Sequence, residues 1–164
     1  MNQVRESAVK EVVSEAHYAY PPEKVWELLN HFIAFPKFIP RLKDCDMLGR
    51  IDDKEQVYFL FDLPFPMPDL WNIISLARFE PIHRFEWKML KGNMKENEGS
   101  FQVDGERGGS VVHLRVHANP GHLLPKWLVS WGAKNFIPKV LKSIGDRLGQ
   151  PLPEGTPTPG PEKK

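Results

Sequence analysis

A single cysteine, Cys45, stands in 164 residues, which excludes an internal disulfide and any cysteine metal cluster. A lone thiol fits a reducing compartment. An excess of either charge is missing too: 22 Lys and Arg against 21 Asp and Glu leave a formal net charge of +1. Nucleic-acid binders carry a basic excess or stripe, and this chain has neither, so nucleic acid is not an expected partner. No apolar run reaches the roughly 20 residues of a membrane-spanning helix. The opening MNQVRESAVKEVVSEA scatters charges where a signal peptide is apolar, so the expected setting is cytoplasmic. Reaction chemistry is equally scarce. With no Gly-rich phosphate loop, nucleophile elbow or Cys/His zinc spacing, no catalytic residue, metal or cofactor is expected.

What is present reads as one globular domain over residues 1–150, with 41% hydrophobic and 26% charged residues overall. From Ala8 to Tyr20, Val12, Ser14, Ala16 and Tyr18 alternate with Glu11, Glu15 and His17, the pattern of a half-buried strand. Pro21 and Pro22 stop it. Pro22 can open a helix, with Glu23 favourable in its first turn and Val25, Leu28, Leu29 and Phe32 at helical spacing. The segment Phe35 to Pro40 predicts a second short helix.

Strands follow. Leu42 to Ile51 is a weak strand pattern, and Gln56 to Leu63 a stronger one, with Val57, Phe59, Phe61 and Leu63 on one face. The prolines of PFPMPD, 64–69, break the sheet. From Trp71 to Glu80 the inward set is read as Ile73, Ser75, Ala77 and Phe79, which turns Arg78 outward. Phe85, Trp87 and Met89 then share a face, as do Phe101 and Val103. After the glycine-rich hairpin loop 104–109, Val112, Leu114, Val116 and Ala118 face inward and alternate with His113 and His117, which are assigned to a solvated face.

The last element is the longest. Leu123 to Leu148 predicts a helix of roughly 39 Å, started near Pro125 and ended by Gly149 and Pro151. Its apolar residues form two offset stripes: Leu124, Trp127, Leu128 and Trp131, then Ala133, Phe136, Ile137, Val140, Leu141, Ile144 and Leu148. Gly132 and Pro138 between or within them predict a bend. Beyond Gln150, five prolines and two glycines in 14 residues predict a disordered tail, 151–164.

The order of strand, two short helices, about six strands and a long helix gives an α+β fold, a curved antiparallel sheet of about seven strands wrapped round the C-terminal helix. Over residues 8–149 the chain resembles the START-like (SRPBCC) superfamily, the helix-grip fold. Three stretches carry the resemblance: YPPEKVWELLNHFIAFPKFIPRLKDCDML (20–48), DLPFPMPD (62–69) and PGHLLPKWLVSWGAKNFIPKVLKSIGDR (120–147). The last two resemble the lipid-binding START branch, in its bacterial form. One departure is that START domains place an Arg-Asp pair shortly after the proline turn, where this chain has Leu70 and Trp71. That leans the ligand towards something less polar than a phospholipid.

The resemblance implies a non-catalytic carrier of one hydrophobic molecule, a lipid or sterol-like guest held between sheet and helix. Its walls are expected from Phe59, Phe61, Trp71, Ile73, Phe85, Trp87, Met89, Phe101 and Leu114. Ser14, Tyr18, Ser75 and Asn135 are candidate polar contacts. Leu124, Trp127, Leu128 and Trp131 would line the mouth opposite the loop residues Pro66, Met67 and Pro68. A monomer that touches membrane surfaces transiently is the expected state. The rival readings are a polyketide cyclase/aromatase-like enzyme, a quinone-binding chaperone and a purely structural partner-binding domain.

Overall fold

The computed structural model describes residues 10–122 and 124–150; Leu123, the expected first residue of the long helix, and the predicted tail 151–164 lie outside them. Seven strands make one antiparallel sheet in the order β1-β7-β6-β5-β4-β3-β2: β1 (Lys10–Tyr18), β2 (Leu42–Ile51), β3 (Lys54–Phe61), β4 (Leu70–Phe79), β5 (Arg84–Gly92), β6 (Glu96–Glu106) and β7 (Gly109–Asn119). All but one of the adjacent pairs are sequence neighbours, joined by turns too short for anything but a meander. The exception is β1, which returns to lie against β7. This is the expected α+β helix-grip arrangement.

Two helices fill the gap between β1 and β2. Pro22 opens α1 (Pro22–Leu29), which buries Val25, Trp26, Leu28 and Leu29. The helix ends sooner than the apolar spacing predicts, and Phe32–Lys37 forms a separate 3-10 turn with Pro36 inside. The chain closes with a continuous helical stretch of three parts: α2 (Trp127–Trp131), a π-helical segment (Gly132–Phe136) and α3 (Ile137–Leu148).

The π segment occupies the place where a bend is predicted. Closing hydrogen bonds at i→i+5 instead of i→i+4 widens the turn, so five such residues withdraw roughly a quarter turn of rotation. That brings the offset stripes closer in phase. Leu128 and Trp131 in the first half and Ile137, Val140 and Ile144 in the second all border one internal space, so the expected division of the helix into a mouth half and a permanent-core half is corrected. Both halves are wall.

The phase of β4 also needs correction. Its buried positions are Leu70, Asn72, Ile74 and Leu76, while Ile73 and Trp71 lie on the convex face and Phe79 is exposed. Register with β3 pairs Val57 with Ile74, Phe59 with Asn72 and Phe61 with Leu70, so β3's inward face dictates β4's. The strand is apolar on both faces, and two of its inward residues are polar, so its alternation alone points the wrong way. Arg78 turns inward as well, and its Nη2 meets Glu55 Oε1 at 2.9 Å.

Candidate functional site

Between the concave face of the sheet and the helix lies a cavity of about 300 Å³. The sheet supplies Phe59, Phe61, Phe85, Trp87, Phe101 and Leu114, and the helix Leu128 and Trp131, all of them positions anticipated from the sequence. Aromatic rings dominate because inward positions on a curved sheet must reach across to the helix. Phe61 meets Phe136 edge-on at 5.5 Å, and Trp131 stacks near Phe136 at 6.4 Å.

Several expected wall residues are elsewhere. Trp71 and Ile73 follow the β4 phase to the outside. Met89 shares the inner face with its partner Ile74, the last pair before the register shifts, but it does not border the cavity. Leu124 is buried in a small cluster with Leu63, Leu70 and Leu128, against which Met67 packs. Leu124 and Met67 thus brace the wall from behind, and Pro66 and Pro68 are exposed loop residues. Trp127 is 52% exposed.

Sequence reading missed Leu29, Phe35 and Ile39, which reach the cavity from α1 and the segment after it, and Ile74 and Leu76 from β4. Cross-strand register, which no single strand reveals, is the signal that finds the last two. The same register finds Asn72, which is 1% exposed. Asn97 Nδ2 donates to Asn72 Oδ1 at 2.9 Å, Trp87 Nε1 donates to Asn97 Oδ1 at 3.2 Å, and Asn72 Nδ2 donates to the Trp71 carbonyl at 2.6 Å. Beneath this network Gly99 is obligatory. A Cβ there would lie 2.6 Å from a ring carbon of Trp87 and closer still to the Arg115 carbonyl oxygen.

At the rim, Arg41 Nη1 lies 3.6 Å from Asp62 Oδ2, and its guanidinium sits 5.3 Å over the Trp131 ring. The other polar candidates are committed or remote. The Tyr18 hydroxyl donates to the Leu141 carbonyl at 2.6 Å, and burial pushes its pKa up. Ser75 lies on the convex face beside Lys88 in register, and Asn135 is exposed. His113 pairs with Glu15 and Asp104, and His117 with Glu96, on the sheet's outer side. Burial, aided by Asp44 and Asp46, pushes the Cys45 thiol up to about 12, which makes it inert near neutral pH. Among the described residues no group of three or more His, Cys, Asp and Glu is placed to hold a metal.

His31, at the end of α1, is 3% exposed, and neither ring nitrogen has a hydrogen-bond partner. Burial lowers its pKa; Glu27 pulls it up and Arg147 pushes it down. The unfolded chain therefore binds this proton more readily. His31 contributes stability that is fully present above the ordinary imidazole pKa and is lost as pH falls through the lowered value. Thermal melts should show the melting temperature dropping from pH 7 towards pH 5, with a shallower drop in His31→Gln. Equal slopes in the two proteins would assign the acid sensitivity to other groups.

No protein-family model matches the chain. It is 40% identical over 107 residues to the phosphatidylcholine transfer protein of Homo sapiens, covering 65% of this chain and 41% of that protein. The match to the Bos taurus protein of the same name is 42% identical over 83 residues, 51% of this chain and 38% of the relative. The matched chain thus spans about two fifths of these relatives' length. Among solved structures it resembles a STAR-related lipid transfer protein from Xanthomonas axonopodis, with a TM-score of 0.71 and 17% identity over 87% of this chain and 94% of that one. It also resembles the Zhui aromatase/cyclase from Streptomyces sp. R1128, with a TM-score of 0.75 and 11% identity over 86% and 94%.

Proposed function

We propose that this chain, whose fold is that of the START superfamily, binds one hydrophobic molecule between sheet and helix and transfers it between membranes without altering it. The observation that carries this reading is the cavity itself, lined by aromatic and aliphatic side chains drawn from all seven strands and the helix. Apolar burial at about 25 cal/mol per Å² supplies the driving force. The name of the human relative, a phosphatidylcholine transfer protein, agrees with a lipid cargo. The volume argues for a smaller one: about 300 Å³ is the low end of the roughly 300–1,000 Å³ of small-molecule pockets. A single chain or a compact ring system suits it better than a two-chain phospholipid.

The cyclase alternative needs an acid or base at the guest. Among the described residues, the only titratable side chains bordering the cavity are Arg41 and Asp62, which face one another at the rim. That supports a binding role. For unloading, Phe65 at 96% exposure and Trp127 at 52% flank Met67 and Leu124, which meet in one cluster. Exposed aromatics beside Lys126 and Lys134 suit brief contact with an anionic bilayer surface. The protein would act as a cytoplasmic monomer. Among the described residues no helix is long and apolar enough to cross a membrane.

The test is stoichiometric binding. Titration with fatty acids, sterols and phospholipids should change tryptophan fluorescence saturably at one site per chain, and native mass spectrometry of protein from its own host should find a co-purified guest. A flat response across the panel, with nothing co-purified, would remove the carrier reading.

A further inference from the structure

Resting on the reading of the cavity as a guest site, we infer that Asn72 and Asn97 form a polar anchor inside it, selecting guests that carry a carbonyl or hydroxyl oxygen. Both amides border the cavity, among walls that are otherwise apolar away from the Arg41–Asp62 rim. Each Asn side chain offers two N–H donors and an acceptor oxygen. Asn72 gives one N–H to the Trp71 carbonyl and its oxygen to Asn97; Asn97 gives one N–H to Asn72 and its oxygen to Trp87. Among the described residues, one N–H of each amide is left uncommitted.

The committed bonds fix both amides in orientation, so the uncommitted donors are pre-aimed and a guest oxygen need not organise them. Donors with no matching acceptor in an apolar site penalise a pure hydrocarbon, and this is how a few polar groups give a greasy pocket its selectivity. The Trp87 indole is held by Asn97 and lies against Gly99, so the anchor also sets the position of an aromatic wall. A guest that engages the amides is thereby seated against that ring.

Two fluorescent guests of nearly equal shape test this, 1-pyrenemethanol and 1-ethylpyrene, which differ by a hydroxyl in place of a methyl. The readout is the ratio of their dissociation constants in the wild-type protein and in Asn97→Leu. The difference in hydration between the guests cancels in that comparison. Loss of the anchor should shift the ratio about five- to tenfold against the alcohol. Should Asn97→Leu fail to fold, the side-chain amide resonances of Asn72 and Asn97 in ¹⁵N-labelled wild-type protein provide the same decision. They should move with the alcohol and stay in place with the hydrocarbon. Binding of both guests with an unchanged ratio, or with equal amide shifts, would overturn the anchor while leaving the cavity reading intact. Binding of neither guest would overturn both.

Discussion

Replacing Glu55 with alanine is expected to lower the free energy of unfolding by about 3–5 kcal/mol. Glu55 and Arg78 face each other across β3 and β4 with side chains only 6% and 9% exposed, and the Arg78 guanidinium lies 5.5 Å from the Phe85 ring centre. Removing the carboxylate leaves that cation in a poorly hydrated place, where desolvation is no longer offset by the partner charge. Arg50 also reaches Glu55, at 3.1 Å, but is 53% exposed. Arg50→Ala should therefore cost less than about 1 kcal/mol. A Glu55→Leu/Arg78→Leu double variant should recover much of the loss, because it removes both charges together. Urea denaturation of the four proteins checks the ordering. Equal, small losses for Glu55→Ala and Arg50→Ala would mean that the carboxylate is effectively solvated.

Truncating the helix at two points should separate stability from transfer. Ile144, 1% exposed, belongs to the main core and borders the cavity. Ile144→Ala should cost about 2–5 kcal/mol, towards the lower end because it extends a space already present. Trp127, at 52% exposure, gives up little packing, so Trp127→Ala should change stability far less. It should nevertheless slow exchange of a pyrene-labelled lipid between vesicles, since an exposed ring next to the wall residue Leu128 is placed to meet the bilayer. Exchange per folded molecule compared with melting temperature decides the matter. If both variants chiefly destabilise and leave exchange alone, the exposed tryptophan has no part in unloading.

The strands were legible wherever one face was apolar and the other charged. β7, with Val112, Leu114 and Val116 against His113, Arg115 and His117, leaves no ambiguity, and β3 and β5 placed four wall aromatics. β4 failed because its outward Trp71, Ile73 and Ala77 are as apolar as its inward Ile74 and Leu76, so only pairing with β3 fixes its phase. The same failure hid Asn72 and Arg78, whose polarity argued for solvent and whose partners, Asn97 and Glu55, lie 25 and 23 residues away. Met89 takes the predicted face, and what its strand's alternation does not reveal is how far along that face the cavity extends. In the helix, the offset between stripes was visible but its resolution was not, because counting at 3.6 residues per turn cannot anticipate a turn that is wider.

That wider turn gives the helix an unusual genetic property. Between Gly132 and Phe136 the chain carries one residue more than an ordinary helix needs to join its two halves. Five residues that fall a quarter turn short of α-helical rotation advance about as far round as four α-helical residues. Losing one residue there would let an ordinary α-helical turn close with everything downstream nearly in phase, so Ile137, Val140 and Ile144 would still border the cavity. A deletion elsewhere in the helix would swing its downstream part by about 100°. Over long descent this stretch should therefore gain or lose a single residue more readily than the rest of the helix.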